Sequence, residues 1–231
     1  MRRANYLNIH IIVSQISRSA PQETKIAKEI KMRIALIHAL PVSIAPIEEA
    51  FERLWPEANT VNLTDDSLAG DLAAVGTLPP EMTDRFLALA RYSASGGADA
   101  ILFTCSAFGP CIEACAEDLA PHPVLKPNEA LIEECAAIGG TSAHVGLLAT
   151  FKQTLDTMPP EFTSAQPGFQ LRTALATAAL DALFAGDRDG HDQAAAEMAA
   201  AELGECDVIA LAQFSLLPAA ALVAEKTGKP V

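Results

Sequence analysis

Two stretches of the chain, about 110 residues apart, decide how it folds. They are "ADAILFTCSAFG", residues 98–109, and "CDVIALAQFSLL", residues 206–217. Each is a short aliphatic run that ends in small or polar residues and leads into a helical pattern. This order is typical of a buried strand in a parallel sheet, followed by a turn and a helix. We therefore predict two equivalent strand–turn–helix segments, one in each half of the chain.

From Met32 onward, aliphatic runs and helical patterns alternate, which favours βαβ units and a parallel sheet. We predict strands at residues 33–39, 59–64, 98–105, 122–126, 143–150 and 206–212. We predict helices at residues 45–55, 80–95, 109–119, 128–138, 173–185, 190–203 and 216–227. "RIALIHALP" at residue 33 resembles "HVGLLATFK" at residue 144, so two pairs of segments share nearly one offset.

That offset favours two similar α/β lobes, which we place at residues 33–140 and 141–231. Buried parallel strands resemble one another in any case, so the repeat itself is a hypothesis at this stage. Residues 1–32 have two early arginines and a short apolar patch without a convincing cleavage site, so we expect a disordered or spurious extension. "EKTGKPV", residues 225–231, stops where a new strand would begin, so we expect a truncated second lobe.

Composition excludes several classes of function. The 231 residues are 50% hydrophobic and carry a formal net charge of -13, which argues against nucleic acid as a partner. No apolar run approaches the roughly 20 residues that span a bilayer, so we expect no membrane partner. The five cysteines are odd in number and lie in apolar stretches, which favours a reducing cytoplasm over a disulfide framework. A truncated lobe would expose apolar surface, so association into a homo-oligomer stays an open alternative.

Candidate site residues follow the predicted strands, because ligands of open parallel sheets bind beyond the carboxyl ends of the strands. Cys105 stands at such a strand-to-helix turn, where the positive end of the next helix is expected to lower its pKa. Its alternative role is that of a small buried apolar residue. His38 ends the first strand and either orients substrate, acts as a second base, or is structural. Cys111 and Cys115 have a zinc-compatible spacing but no second ligand pair, so we expect no metal.

The segments "DAILFTCSAFG", "VLKPNEAL", "VGLLATFKQTL" and "CDVIALAQFS" together resemble the aspartate/glutamate/hydantoin racemase superfamily, which also contains maleate isomerase and arylmalonate decarboxylase. The resemblance covers residues 33–231. It implies an α/β fold of two pseudo-symmetric Rossmann-like lobes, each a mostly parallel sheet flanked by helices, with the active site between the lobes. It also implies no cofactor, a small carboxylate as substrate, and one cysteine from each lobe facing the substrate α-carbon.

Carried over by position, Cys105 matches the cysteine of the first lobe and Gln213 stands where the second is expected. A carboxamide forms hydrogen bonds but is not a general acid or base as a thiol is, so two-base racemisation is in doubt. Cys206 opens its strand at the far end and does not replace the missing thiol. The resemblance and the strand ends suggest further substrate-binding residues, for most of which helix capping is the structural alternative: Ser43, Thr104, Ser106, Asn128, Thr150, Thr154, Phe214 and Ser215.

We therefore expect a cofactor-independent isomerase of the racemase type that acts at the α-carbon of a small carboxylate through the Cys105 thiolate. Two alternatives remain open. One is a single-cysteine lyase of the arylmalonate decarboxylase type, and the other is a carboxylate-binding protein that has lost catalysis.

Overall fold

The computed structural model describes residues 32–231, so the predicted extension lies outside the described residues except for Met32. The described chain divides into two compact units, and the division falls between Pro127 and Asn128. No helix within residues 32–231 is both long enough and apolar enough to cross a membrane.

The first unit contains one parallel sheet with the strand order β2-β1-β3-β4. Short 3-10 turns, Pro41–Ser43 and Ser106–Phe108, precede the helices that follow β1 and β3. The elements of this unit are β1 (Arg33–His38), α1 (Ile44–Leu54), β2 (Asn59–Thr64), α2 (Leu68–Val75), α3 (Pro80–Ser95), β3 (Ala100–Phe103), α4 (Gly109–Asp118) and β4 (Val124–Leu125).

The second unit contains a parallel sheet with the strand order β6-β5-β7. Its elements are α5 (Asn128–Gly139), β5 (His144–Ala149), α6 (Lys152–Ala165), β6 (Gln170–Leu175), α7 (Thr177–Phe184), α8 (Arg188–Glu202), β7 (Val208–Leu211), a 3-10 turn (Phe214–Ala219) and α9 (Ala220–Thr227). Alternate residues of β5 and β7 enter two separate apolar clusters, one with α5 and α6 and the other with α7, α8 and α9. The sheet is therefore covered by helices on both faces, as parallel sheets require.

The two sheets repeat one strand arrangement. Ile34 of β1 pairs with Ala100 of β3, as Val145 of β5 pairs with Val208 of β7. The amide of Ile101 donates to the carbonyl of Pro123, and the amide of Ile209 donates to that of Pro230, both at 2.9 Å. The predicted fold class, with two helix-flanked parallel sheets, is confirmed.

Several predicted elements are wrong in detail. The segment 170–175 is a strand, whereas we predicted a helix from residue 173; β6 is a largely exposed edge strand and lacks the aliphatic run of a buried one. No element was predicted over α2 or α6. Helix α6 contains Pro159 and Pro160, which usually end or kink a helix.

The predicted lobe boundary at residue 140 also differs from the observed division. Helix α5 packs against the second sheet, because its apolar residues Leu131, Ile132 and Cys135 belong to the same cluster as β5 and β7. A helix that precedes its sheet in sequence cannot be assigned to it from hydrophobic periodicity alone.

Three aromatic rings hold the turn that follows β3. Phe86 of α3 stacks on Phe103, the last residue of β3, with ring centroids 5.1 Å apart, and lies against Phe108 at 4.8 Å. All three rings are almost completely buried. Residues 104–107 therefore lie between two anchored side chains, which fixes the course of the backbone there.

Replacing Phe86 with alanine removes the ring that joins both anchors. We expect Phe86→Ala to lower the free energy of unfolding by roughly 3–5 kcal/mol, the usual cost of deleting a buried phenylalanine. Tyr92→Ala on the same helix is the matched control, because Tyr92 is 69% exposed. Urea denaturation measures both variants. Equal stability of the two would contradict the anchoring role.

Candidate active site

The sequence-predicted site residues all follow strands, at the carboxyl edges of the two sheets. In the first unit they comprise Ser43, Thr104, Cys105 and Ser106, and in the second Asn128, Thr150, Thr154, Gln213, Phe214 and Ser215. Seven of these carry polar side chains on buried residues: Ser43, Thr104, Ser106, Asn128, Thr150, Thr154 and Ser215. Buried polar groups need hydrogen-bond partners, so their partners define what each is free to do.

Cys105 connects β3 to the 3-10 turn Ser106–Phe108. Its backbone is extended, with φ -122° and ψ 116°, and the residue is partly exposed. Burial of the thiol raises its pKa to about 11, while the backbone N–H of Ala107 donates to the sulfur and acts in the opposite direction. The 3-10 turn that follows Cys105 thus supplies one backbone donor to the sulfur. The predicted lowering of the pKa is wrong, because desolvation of the thiolate outweighs one hydrogen bond.

The side chain of Thr104 lies in a hydrogen-bonded group with residues of β1 and β2. Its hydroxyl is 2.8 Å from Nδ1 of His38, and Nε2 of His38 is 2.8 Å from Oδ1 of Asn62. Nδ2 of Asn62 donates to the carboxylate of Glu48 at 2.6 Å. The His38 side chain is fully buried, and its pKa is lowered because desolvation outweighs the effects of Asn62 and Glu48.

Sequence reasoning considered His38 but missed Asn62 and Glu48. Asn62 stands in the middle of "NTVNLT", and an asparagine within a strand is unusual enough to have been a signal. The parallel register, which pairs Leu36 with Asn62 and His38 with Thr64, supplies the missing information.

Gln213 is bound to the end of β5 within the second unit. Its Oε1 accepts from the backbone N–H of Thr150 at 2.7 Å and from the Thr150 hydroxyl at 3.0 Å. An amide N–H only donates, so this contact fixes which end of the carboxamide faces Thr150. The Gln213 amide group is left as the donor end. Thr150, predicted to bind substrate, is the partner that orients Gln213.

Cys105 and Gln213 occupy equivalent positions in the two sheets. Each stands two residues after the end of its strand, precedes a 3-10 turn and has an extended backbone. Cys206 precedes β7 at its amino end, as predicted, and is buried. The topology therefore places a thiol and a carboxamide at matching points of a repeated motif.

Asn128 begins α5 and is also held by a neighbouring helix. Its Nδ2 donates to Glu161 of α6 at 3.1 Å, while its buried Oδ1 has no hydrogen-bond partner in the structure.

Cys111 and Cys115, whose spacing is compatible with zinc, are buried in α4. Within residues 32–231, no group of three or more histidine, cysteine or acidic side chains has a metal-binding arrangement.

Comparison with known proteins relies on structure, since no family model and no curated protein matches the sequence. Glutamate racemase from Francisella tularensis superposes with a TM-score of 0.65 at 12% identity, covering 88% of this chain and 75% of that one. The aspartate racemase of Picrophilus torridus gives 0.64 at 12% identity, with 87% of each chain covered. A mutant of arylmalonate decarboxylase gives 0.53 at 15% identity, with 86% of each covered. At such identities the likeness shows a shared fold.

The environment of Cys105 predicts a distinctive alkylation profile. The other four cysteines are buried, with pKa values also raised by burial, so Cys105 should react first with iodoacetamide. Below a pKa of about 11 the thiolate fraction rises about tenfold per pH unit, so the rate should rise likewise from pH 7 to 10. Peptide mass spectrometry locates the adduct, and Cys105→Ser is the control. A rate plateau below pH 9 would show that burial does not control the thiol.

Proposed function

Because this chain has the fold of the aspartate/glutamate/hydantoin racemase superfamily, we propose that it is a cofactor-independent enzyme that acts at the α-carbon of a small carboxylate. Cys105 is its proton carrier. The observation that carries the proposal is the position of this thiol, at the carboxyl edge of a parallel sheet, on a turn fixed by buried rings. The free state of all five cysteines fits the reducing cytoplasm that we expect.

The matching position in the second unit supports chemistry with one thiol. The carbonyl oxygen of the Gln213 side chain accepts hydrogen bonds from Thr150, so the remaining polar group of this side chain is its amide donor. A carboxamide donates a hydrogen bond to a carboxylate oxygen but exchanges no proton with carbon near neutral pH. Racemisation that removes a proton from one face and delivers one to the other therefore lacks its second base.

The raised pKa of Cys105 favours a thiol at rest over a thiolate. A thiol delivers its proton to a carbanion, which is the step required after loss of carbon dioxide. In such a lyase reaction the bond between the α-carbon and one carboxylate breaks, and its electron pair stays on the α-carbon. The S–H proton then forms the new C–H bond, and water reprotonates the thiolate. We keep racemisation or isomerisation through the same thiol as the alternative outcome.

Substrate contacts in this proposal come from the polar groups beside the strand ends. We assign them to the carboxamide of Gln213 and to hydroxyls and amides that follow the strands: Ser43, Ser106, Asn128, Thr154 and Ser215. Donors placed in advance around a developing negative charge contribute the largest share of such catalysis. Phe214 follows Gln213 and supplies apolar contact to the substrate.

Incubation in D2O tests the proposal directly. A panel of aspartate, glutamate, hydantoins, maleate and arylmalonates is followed by proton NMR for loss of the α-proton signal and for the appearance of a decarboxylated product. Deuterium in a decarboxylated product supports the lyase, and deuterium in unreacted substrate supports the racemase. Cys105→Ser should lower the rate by at least about 100-fold, because a serine hydroxyl is a poor proton carrier.

Cys111→Ser is the matched control for that experiment. Cys111 is buried in α4 and lies 3.4 Å from the Thr83 hydroxyl, a partner that serine retains. Turnover that depends on Cys105 but not on Cys111 supports the proposal. Binding of a carboxylate without any turnover, and with equal affinity in Cys105→Ser, would instead favour a protein that binds and does not catalyse.

A gain of function tests the pairing of Cys105 with Gln213. If both act on one substrate carbon, as the family resemblance implies, Gln213→Cys should create or raise racemisation by at least about tenfold. Gln213→Ser is the matched control, because it also removes the acceptor from Thr150 but supplies no thiol. Chiral chromatography measures the product. A folded Gln213→Cys variant no faster than Gln213→Ser would overturn the pairing.

A further inference from the structure

A chain of four side chains crosses the first sheet near the carboxyl ends of its strands. It runs from Glu48 on α1 through Asn62 on β2 and His38 on β1 to Thr104 after β3, with donor–acceptor distances of 2.6, 2.8 and 2.8 Å. Asn62 is exposed, whereas His38 and Thr104 are buried. This series of hydrogen bonds therefore leads from the surface to Thr104, the residue that precedes Cys105.

The direction of each hydrogen bond follows from which groups can donate. A carboxylate only accepts, so Nδ2 of Asn62 faces Glu48 and Oδ1 faces His38. A carbonyl oxygen also only accepts, so Nε2 of His38 carries a hydrogen. Desolvation lowers the pKa of His38 and favours the neutral ring, in which Nδ1 then has a free lone pair. The hydroxyl of Thr104 has one hydrogen and two acceptors in reach, Nδ1 of His38 at 2.8 Å and the Ile37 carbonyl at 3.3 Å. Because an unprotonated Nδ1 at 2.8 Å needs a donor opposite it, we assign the hydrogen to Nδ1.

We propose that His38 is a positioning residue, held as its Nε2–H tautomer by Asn62 and Glu48. Its Nδ1 accepts a hydrogen bond from the Thr104 hydroxyl, which fixes the turn before Cys105. Thr104 is bound to β1 a second time, because its backbone N–H donates to the carbonyl of Ile37 at 2.9 Å. With both donors used, Thr104 gives no hydrogen bond to a substrate carboxylate. Its role changes from the predicted substrate contact to an anchor for the thiol.

A purely structural role explains this arrangement poorly. Burying an imidazole and a hydroxyl costs desolvation free energy that an apolar pair at the same strand ends would avoid. The neighbouring positions on β1 and β3 are apolar and buried, so the sheet does not need a polar link there. Hydrogen bonds restrict orientation more strictly than apolar contact does, which suits a backbone segment that must hold a thiol in one place.

The tautomer of His38 is measured by long-range proton–nitrogen NMR on the 15N-labelled full chain near neutral pH. We expect a pyridine-like Nδ1 signal and a pyrrole-like Nε2 signal from one histidine, and His38→Gln assigns them by their loss. A pyrrole-like Nδ1 signal, or an imidazolium, would overturn the inference. This measurement does not depend on the proposed function.

The effect on Cys105 is measured by its alkylation rate at one fixed pH. Glutamine at position 38 keeps one carbonyl acceptor and one amide donor for Thr104 and Asn62, whereas phenylalanine keeps neither. We expect His38→Gln to stay within about threefold of the wild-type rate and His38→Phe to differ by roughly tenfold or more. His191→Gln is the control, because His191 is a buried, hydrogen-bonded histidine of the second unit. Equal rates in His38→Phe and His38→Gln would overturn the positioning role.

The link from positioning to turnover rests on the proposed function. With an active substrate, His38→Phe should lower kcat by roughly 10-fold to 100-fold and leave KM nearly unchanged, because Thr104 does not hold the carboxylate. A rise in KM with unchanged kcat would contradict this inference alone. Lack of any turnover in the wild-type protein would overturn the proposed function, while the tautomer and the alkylation rates would still decide the role of His38.

Discussion

The desolvated thiol of Cys105 is the constraint on which the account of this protein depends. A buried parallel strand delivers the cysteine to the edge of its sheet, and the stacked rings of Phe86, Phe103 and Phe108 fix the turn that carries it. Ala107 offers the sulfur one backbone hydrogen bond, yet burial still raises the thiol pKa to about 11. The same packing that positions the thiol therefore favours its protonated form, and the function that we propose depends on that form.

The repeated sheet shows how one arrangement carries two different functional groups. In both units the residue two positions after the third strand of the repeat precedes a 3-10 turn in an extended conformation. In the first unit this residue is a thiol with a backbone donor, and in the second it is a carboxamide whose carbonyl is occupied by Thr150. One half of the motif can transfer a proton and the other can only donate hydrogen bonds. In the function that we propose, this division is the reason for chemistry with one thiol.

Much of the fold could be predicted from the sequence, because buried parallel strands are continuous aliphatic runs that alternate with helices. The exposed edge strand β6 and the proline-containing helix α6 lack those signals and were missed. Candidate residues such as Cys105, Thr104 and Gln213 could be located because they follow strands. Their states could not be predicted, since the pKa of Cys105 and the hydrogen bonds of Gln213 depend on burial and on the register between distant strands.

The dependence of turnover on pH tests the central claim most directly, which is that Cys105 acts as a protonated thiol. An acid with a pKa of about 11 is still about 90% protonated at pH 10, so the Cys105-dependent rate with an active substrate should be nearly constant from pH 7 to 10 and fall above that range. A rate that instead rises about tenfold per pH unit across the same range would show that the thiolate is the active form, and would contradict the account.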